Sequence, residues 1–305
     1  MFINVLTQVL ILLILIVLGA ILTKAKVLTE QGVKSMTDTV LLIVTPCVII
    51  KSFVREFNTS VLKNLIISFL IAFVAHIVFI LLAKIMLRDK NKARERVLQF
   101  GAIFSNCGFM SIPLQQALLG EEGVFYCASY VAIFNLFIWS YGLISMSGDK
   151  SYLKPRKLFL SPGIIGLSVG LIIFLFSVPI PKIILEPISY MASLNTPVPM
   201  IIIGYHLMQS NILDGLTDLK GLYAMAVKLV VFPLIALGGM YICGIRGTML
   251  VSSVITCSAP TAAITTMFAA KYGADTSLSV NMVSLSTVLS LITMPLVITL
   301  AQYVA

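Results

Sequence analysis

Two segments of this chain put amides, hydroxyls, glycine and proline where an apolar helix would be expected to run unbroken. The first reads Ser105-Asn106-Cys107-Gly108-Phe109-Met110-Ser111-Ile112-Pro113, and the second Thr256-Cys257-Ser258-Ala259-Pro260-Thr261. Proline removes a backbone donor and its ring collides with the carbonyl four residues earlier. Inside a bilayer the freed groups cannot face lipid, so they must bond to neighbours or line a cavity. Half-helix N-termini beyond such breaks offer N–H groups and partial positive charge, which suit a carboxylate. The chemistry on offer is therefore recognition of an anion. Asn106, Cys107, Gly108 and Pro113, with Ala259, Pro260 and Thr261, form the candidate substrate-binding set. The plain alternative for either segment is a proline kink whose gap is filled by protein.

Polar residues in flanking apolar runs extend the set. Asn135 carries a buried amide that needs several partners. Ser286 and Thr287 belong to a stripe with Asn281, Ser284 and Ser290, although Ser and Thr often serve only as helix–helix contacts. His76 and Lys228 are the ionisable residues deepest in apolar runs, where such a group is by default a functional hypothesis: ion coupling or contact with the anion. Each has a bland reading too, a satisfied packing histidine and a lysine snorkelling along its stem. Lys51 and His206 lie nearer run ends and are weaker candidates. No Asp or Glu lies mid-run, which disfavours a cation substrate and favours an anion. Metalloprotease, hydrolase-elbow and P-loop motifs are absent. We expect no enzyme activity and no cofactor. The five cysteines form no CxxC pair, so neither a zinc site nor a disulfide framework is expected.

The elements that must position these residues follow from composition. Of 305 residues, 59% are hydrophobic and only 11% charged, against roughly a quarter charged in soluble domains. The net charge of +9 sits in loops, which points to orientation and lipid contact and away from nucleic acid. Apolar runs fall at 3–23, 36–54, 61–87, 97–119, 123–146, 158–179, 183–208, 219–243, 248–270 and 276–303. Each approaches the roughly 20 residues that cross a bilayer. The expected protein is an all-α integral membrane chain of ten spans. The first run lacks a basic flank and is longer than a signal peptide's apolar region, so it is read as a retained span. Loops after odd-numbered spans carry fifteen Lys and Arg against five on the other side. The positive-inside rule then puts both termini outside a plasma membrane.

Internal similarity at offsets of 151–153 residues divides the chain. Gly19 matches Gly170, Thr45-Pro46 matches Thr196-Pro197, His76 matches Lys228, and Gly120 matches Gly273. The expected organisation is a five-helix repeat at 1–147, a connector at 148–157 and a second repeat at 158–305. Five is odd, so the copies are inverted, and the broken helices 4 and 9 occupy equivalent places, the best pointer to a transport site.

At these residues the sequence resembles the auxin efflux carrier family, particularly its bacterial members. The motifs are Asn106 to Leu114, Gly120, and Asn135 with Trp139 and Gly142. In the second half they are Ala259-Pro260, Phe268-Ala269, Tyr272-Gly273, Ser286-Thr287 and Pro295-Leu296. The resemblance implies the fold of bile-acid symporters and sodium/proton antiporters. Spans 1, 2, 6 and 7 would form a scaffold, and spans 3–5 and 8–10 a transport domain in which helices 4 and 9 cross. It implies organic-anion substrates (auxin, or malate- and malonate-like dicarboxylates), maps a substrate-binding asparagine onto Asn106, and suggests a homodimer. The long cytoplasmic loop of many plant carriers is missing, which makes auxin itself an unexpected substrate. The reading is a secondary transporter moving small mono- or dicarboxylates by alternating access, with proton or sodium coupling open. The alternatives are a sodium-coupled organic-anion symporter of bile-acid type, and a membrane receptor or channel retaining the fold.

Overall fold

The computed structural model describes residues 2–149, 161–209 and 212–305, and every regular element among them is a helix. Most of the expected connector at 148–157 lies outside the described residues. The helices are α1 (Phe2–Lys24), α2 (Glu30–Ser52), α3 (Thr59–Met86), α4 (Lys92–Ile103), α5 (Cys107–Ser147), α6 (Pro162–Leu175), α7 (Lys182–Ser193), α8 (Pro197–Gln209), α9 (Ile212–Thr217), α10 (Leu219–Ile242), α11 (Gly247–Ser258), α12 (Ile264–Lys271) and α13 (Thr276–Val304). Six of them, α1, α2, α3, α5, α10 and α13, are long and apolar enough to cross a membrane. The runs expected at 183–208 and 248–270 are each divided between two shorter helices, and that at 97–119 between α4 and the start of the 41-residue α5, which also takes in the run expected at 123–146. The run expected at 158–179 is represented by the 14-residue α6.

Local chemistry explains where helices begin and bend. Thr29, Asn58, Asn91, Asp218 and Asp275 each accept a bond from a backbone N–H of the first turn that follows. Such a cap is worth about 1 kcal/mol. Pro113, expected to break its helix, does not, and two other prolines share its setting. Pro46, Pro113 and Pro233 each lie just beyond a π turn, at Val40–Val44, Cys107–Ser111 and Val227–Val231. The carbonyl each ring would strike belongs to Leu42, Phe109 or Leu229, inside that wider turn, so the helix continues. A real reversal occurs within α5 at Gly120, whose φ of 64° and ψ of −150° only glycine adopts readily. Gly273, 153 residues on, has φ 67° at the equivalent turn between α12 and α13.

Close approaches of backbone hold the bundle together. A Cβ on Gly204 of α8 would lie 2.1 Å from the Ile16 carbonyl oxygen, and one on Gly19 of α1 would lie 2.4 Å from that of Ile201. α6 meets α2 in the same manner, with Gly166 against Pro46 Cα at 2.8 Å and Gly170 against Phe53 at 3.0 Å.

Polar contacts sort the connections onto two ends. Arg94 reaches Asp218 at 2.6 Å, Asp275 at 3.2 Å and Asp89 at 3.8 Å, and Lys220 reaches Asp89 at 2.9 Å. At the other end Lys51 meets Glu121 at 3.3 Å, and the Phe57 N–H donates to Ser177 Oγ at 2.8 Å. There too Thr248 bonds Glu122 at 3.2 Å, and the Gly247 N–H reaches the Ala305 carbonyl at 3.3 Å. The 28 residues of α3 separate the two ends by about 42 Å.

The Arg94 clasp predicts an acid-labile contribution to stability. The hydrogen bond from Lys220 holds the Asp89 carboxyl below its ordinary range, helped by the Asn91 N–H. Burial pushes Asp218 up, but the Arg94 hydrogen bond and charge, with the Gly221 and Lys220 N–H groups, together outweigh it and the net direction is down. A lowered folded-state value means stability that is present at neutral pH and lost as pH falls through it. Arg94→Ala should cost about 1 kcal/mol at pH 7, the upper range for exposed pairs, and flatten the acid limb of the unfolding midpoint between pH 7 and 3. An acid limb identical to the parent's would show that the clasp contributes nothing.

Candidate functional site

α4 stops at Ile103 and α5 starts at Cys107; α11 stops at Ser258 and α12 starts at Ile264. The two interruptions pair with each other. Ser105 and Thr261 form an antiparallel bridge in which the Asn106 N–H donates to the Pro260 carbonyl at 2.7 Å and the Ala262 N–H to the Phe104 carbonyl at 3.0 Å. Each break thus supplies partners for the other's stranded peptide groups. Carbonyls orphaned at the two helix ends are met by side chains. Thr261 Oγ1 donates to the Gly101 carbonyl at 3.0 Å, and Lys228 Nζ to the Cys257 carbonyl at 3.3 Å and to Ser105 Oγ. The Thr261 N–H donates to Ser286 Oγ at 3.1 Å.

Both short segments then re-enter helix. Asn106 Oδ1 accepts the Phe109 N–H at 3.3 Å and so caps α5. No side chain caps α12, whose first turn is closed by the Ala262 and Ala263 carbonyls. Beside this pairing lies a cavity of about 410 Å³. Asn106, Phe109, Ala263 and Thr266 form one wall; Ile202, Ile203, His206 and Gln209 of α8 and Val283, Ser284 and Thr287 of α13 form the others. The wall is mostly apolar, and among the described residues no Asp, Glu, Lys or Arg lines it. Asn106 is 8% exposed and is one of the residues that line the cavity.

The expected site residues divide by location. Asn106 and Thr287 line the cavity. Cys107 and Gly108 follow the break, with Cys107 buried. Ala259, Pro260 and Thr261 lie in the paired interruption, and Ser286 braces it. Pro113 is buried in the helix after the π turn, so it is not the residue that interrupts the fourth run: the interruption falls at 104–106, seven or more residues earlier. Asn135 lies apart from the cavity, its Nδ2 donating to the Val131 carbonyl at 2.8 Å.

Lys228 and His76 are fully buried and neither lines the cavity. The His76 ring stacks on Phe137 at 5.1 Å and lies 4.8 Å from Tyr130, with Nδ1 2.8 Å from the Ala72 carbonyl. Tyr130 Oη in turn lies 3.5 Å from the Ser105 hydroxyl that Lys228 holds. These two residues therefore flank the pairing.

Two contributors, Gln209 and Gln115, were not singled out by type and spacing, and a third, His206, was set aside as a weaker candidate. His206 and Gln209 extend the α8 face begun by Ile202 and Ile203, a three-to-four-residue spacing that was a readable signal. Gln115 is fully buried and joins α5 to α11, donating to Thr256 Oγ1 at 2.9 Å while Ser252 Oγ donates to its Oε1 at 2.5 Å. Nothing in its sequence context marked it.

The model of a family described as membrane transport protein matches residues 4–298. The chain belongs to that family. It is the auxin efflux carrier family whose motifs the sequence carries. An uncharacterized transporter of Methanothermobacter thermautotrophicus is 25% identical over 293 residues, covering 93% of this chain and 94% of that protein. An uncharacterized transporter of Methanocaldococcus jannaschii is 26% identical over 299 residues, covering 94% and 96%. This family member is a multi-pass membrane transport protein and not an enzyme. Its substrate must meet the membrane-embedded surfaces described above.

Proposed function

We propose that this transport protein is an alternating-access carrier for small organic anions, bound at the cavity beside Asn106. The observation that carries the reading is the backbone pairing of two helix interruptions 155 or so residues apart, directly against a 410 Å³ cavity. An anion there would meet the Asn106 amide and the uncapped N-terminus of α12.

Ten spans in two inverted halves give the pairing its meaning. The α1–α8 and α6–α2 approaches support this: adding 151 to Gly19 gives Gly170, and adding 151 to Phe53 gives Gly204. The left-handed glycines Gly120 and Gly273 support it at an offset of 153. On this reading α1, α2, α6, α7 and α8 form the scaffold and the remaining helices the moving domain with crossing helices 4 and 9. The basic-residue bias assigns the Arg94 end to the cytoplasm and both termini to the outside.

The lining narrows the substrate. A dicarboxylate would need two charge-satisfying partners, whereas among the described residues neither Lys nor Arg lines the cavity and most of its wall is apolar. A monocarboxylate with a short aliphatic or aromatic body fits better. In a thermal-unfolding screen of organic acids, monocarboxylates with apolar tails should raise the midpoint with concentration, and dicarboxylates of equal size should do so far less. The reverse order would overturn this assignment. Running the screen with and without sodium, and across pH, identifies any coupling ion.

A further inference from the structure

A second cavity, partly open and of about 240 Å³, lies at the end of the bundle opposite Arg94. Its walls include Lys51 and Ser52 of α2, Gln116 and Glu121 around the reversal of α5, and Asn195 and Thr196 in the turn between α7 and α8. The informative member is Asn195. It is 3% exposed, and neither its Oδ1 nor its Nδ2 has a hydrogen-bond partner. An amide buried in this way bears the full cost of desolvation unless something enters the cavity to bond with it.

Lys51 shows what kind of group that is. Its ammonium lies 3.3 Å from the Glu121 carboxylate, so the cavity already holds one carboxylate, supplied by the chain itself. Lysine acts as a compact point charge that readily exchanges partners. We propose that this cavity is a second anion site, for a small carboxylate, in which the incoming group displaces Glu121 from Lys51 and accepts a hydrogen bond from Asn195 Nδ2. The remaining Asn195 Oδ1 accepts from a hydroxyl or water carried in with the ligand. At 240 Å³ the space admits a compact acid of a few carbons and excludes the longer apolar bodies that suit the 410 Å³ cavity. Occupancy also removes this ion pair between α5 and α2. The inference rests on this cavity alone and stands whether or not the chain moves its ligand.

The test is binding, read without flux. Purified protein carrying Asn106→Ala, which alters only the other cavity, is titrated with trifluoroacetate at constant ionic strength while fluorine NMR line broadening is followed. Trifluoroacetamide serves as the neutral isostere and should not broaden. Adding Glu121→Gln removes the competing carboxylate and should tighten binding about tenfold, the scale of one charge-assisted hydrogen bond. Adding Lys51→Gln or Asn195→Leu should weaken it about tenfold. If Asn195→Leu does not fold, Asn195→Asp keeps the shape, sets a negative charge against the ligand and should give the same loss. Binding no tighter with Glu121→Gln, or unchanged with both Asn195 variants, would overturn the proposal and leave a cavity that holds only water.

Discussion

Asn106→Ala should lower the initial transport rate in proteoliposomes about a hundredfold, the upper scale of one hydrogen bond to a charged group. The protein should remain folded. Two of the residue's three roles survive the change. Its N–H still donates to the Pro260 carbonyl, and its own carbonyl still accepts from Met110 and Ser111. The side chain's cap on Phe109 is lost, costing about 1 kcal/mol. What disappears completely is the amide proposed to meet the substrate. Wild-type flux with a wild-type unfolding midpoint would exclude Asn106 from the substrate site. Loss of flux together with a midpoint collapse of many degrees would mean that the residue is structural.

The second large effect is on assembly. Gly204→Ala would set a Cβ 2.1 Å from the Ile16 carbonyl oxygen and 2.8 Å from the Ala20 nitrogen. Both obstacles are backbone of a helix that cannot rotate aside, so α1 and α8 must separate along their whole interface. Overpacking of this kind costs typically 1–3 kcal/mol and sometimes more, and we expect at least about 3 kcal/mol. Gly170→Ala meets Phe53 Cβ and Cγ at 3.0 Å, a much longer approach than that at Gly204, so it should cost clearly less. Unfolding in detergent, followed by circular dichroism, would rank the two. Equal stabilities would show that the α1–α8 contact is looser than the geometry requires.

Much of the fold was legible because membranes leave few options. Apolar runs marked most of the helices, and the polar, small and proline residues near 106 and 260 marked the interruptions. The error at Pro113 is instructive. A proline signals a lost donor and a steric conflict, but a π turn at Cys107–Ser111 resolves both within the helix. The interruption instead falls where Phe104 and Asn106 find partners 155 or so residues away, and no local rule reports that. Asn135 shows the same limit: its amide, expected to be buried, is only half-buried and satisfies one donor on its own helix, at Val131. His206 was discounted for lying near a span end, although that is where a cavity opening toward one end would have its mouth. Lys228 was legible as unusual by depth, but its partners come from elsewhere in the chain, Ser105 from the α4–α5 interruption and the Cys257 carbonyl from α11.

The central claim is that the cavity beside Asn106 is exposed to one side of the membrane at a time. It is tested most directly by an impermeant maleimide and a single cysteine replacing Thr266, which lines that cavity, in an otherwise cysteine-free protein. In the parent, labelling should proceed from the Arg94 side. Adding Lys51→Glu sets two carboxylates against each other where Lys51 now holds Glu121, and this should open the opposite end. The account predicts that labelling from the Arg94 side then falls as labelling from the other side rises. A rise from both sides together would describe a continuous pore, and no change from either side would describe a fixed cavity, and each contradicts alternating access.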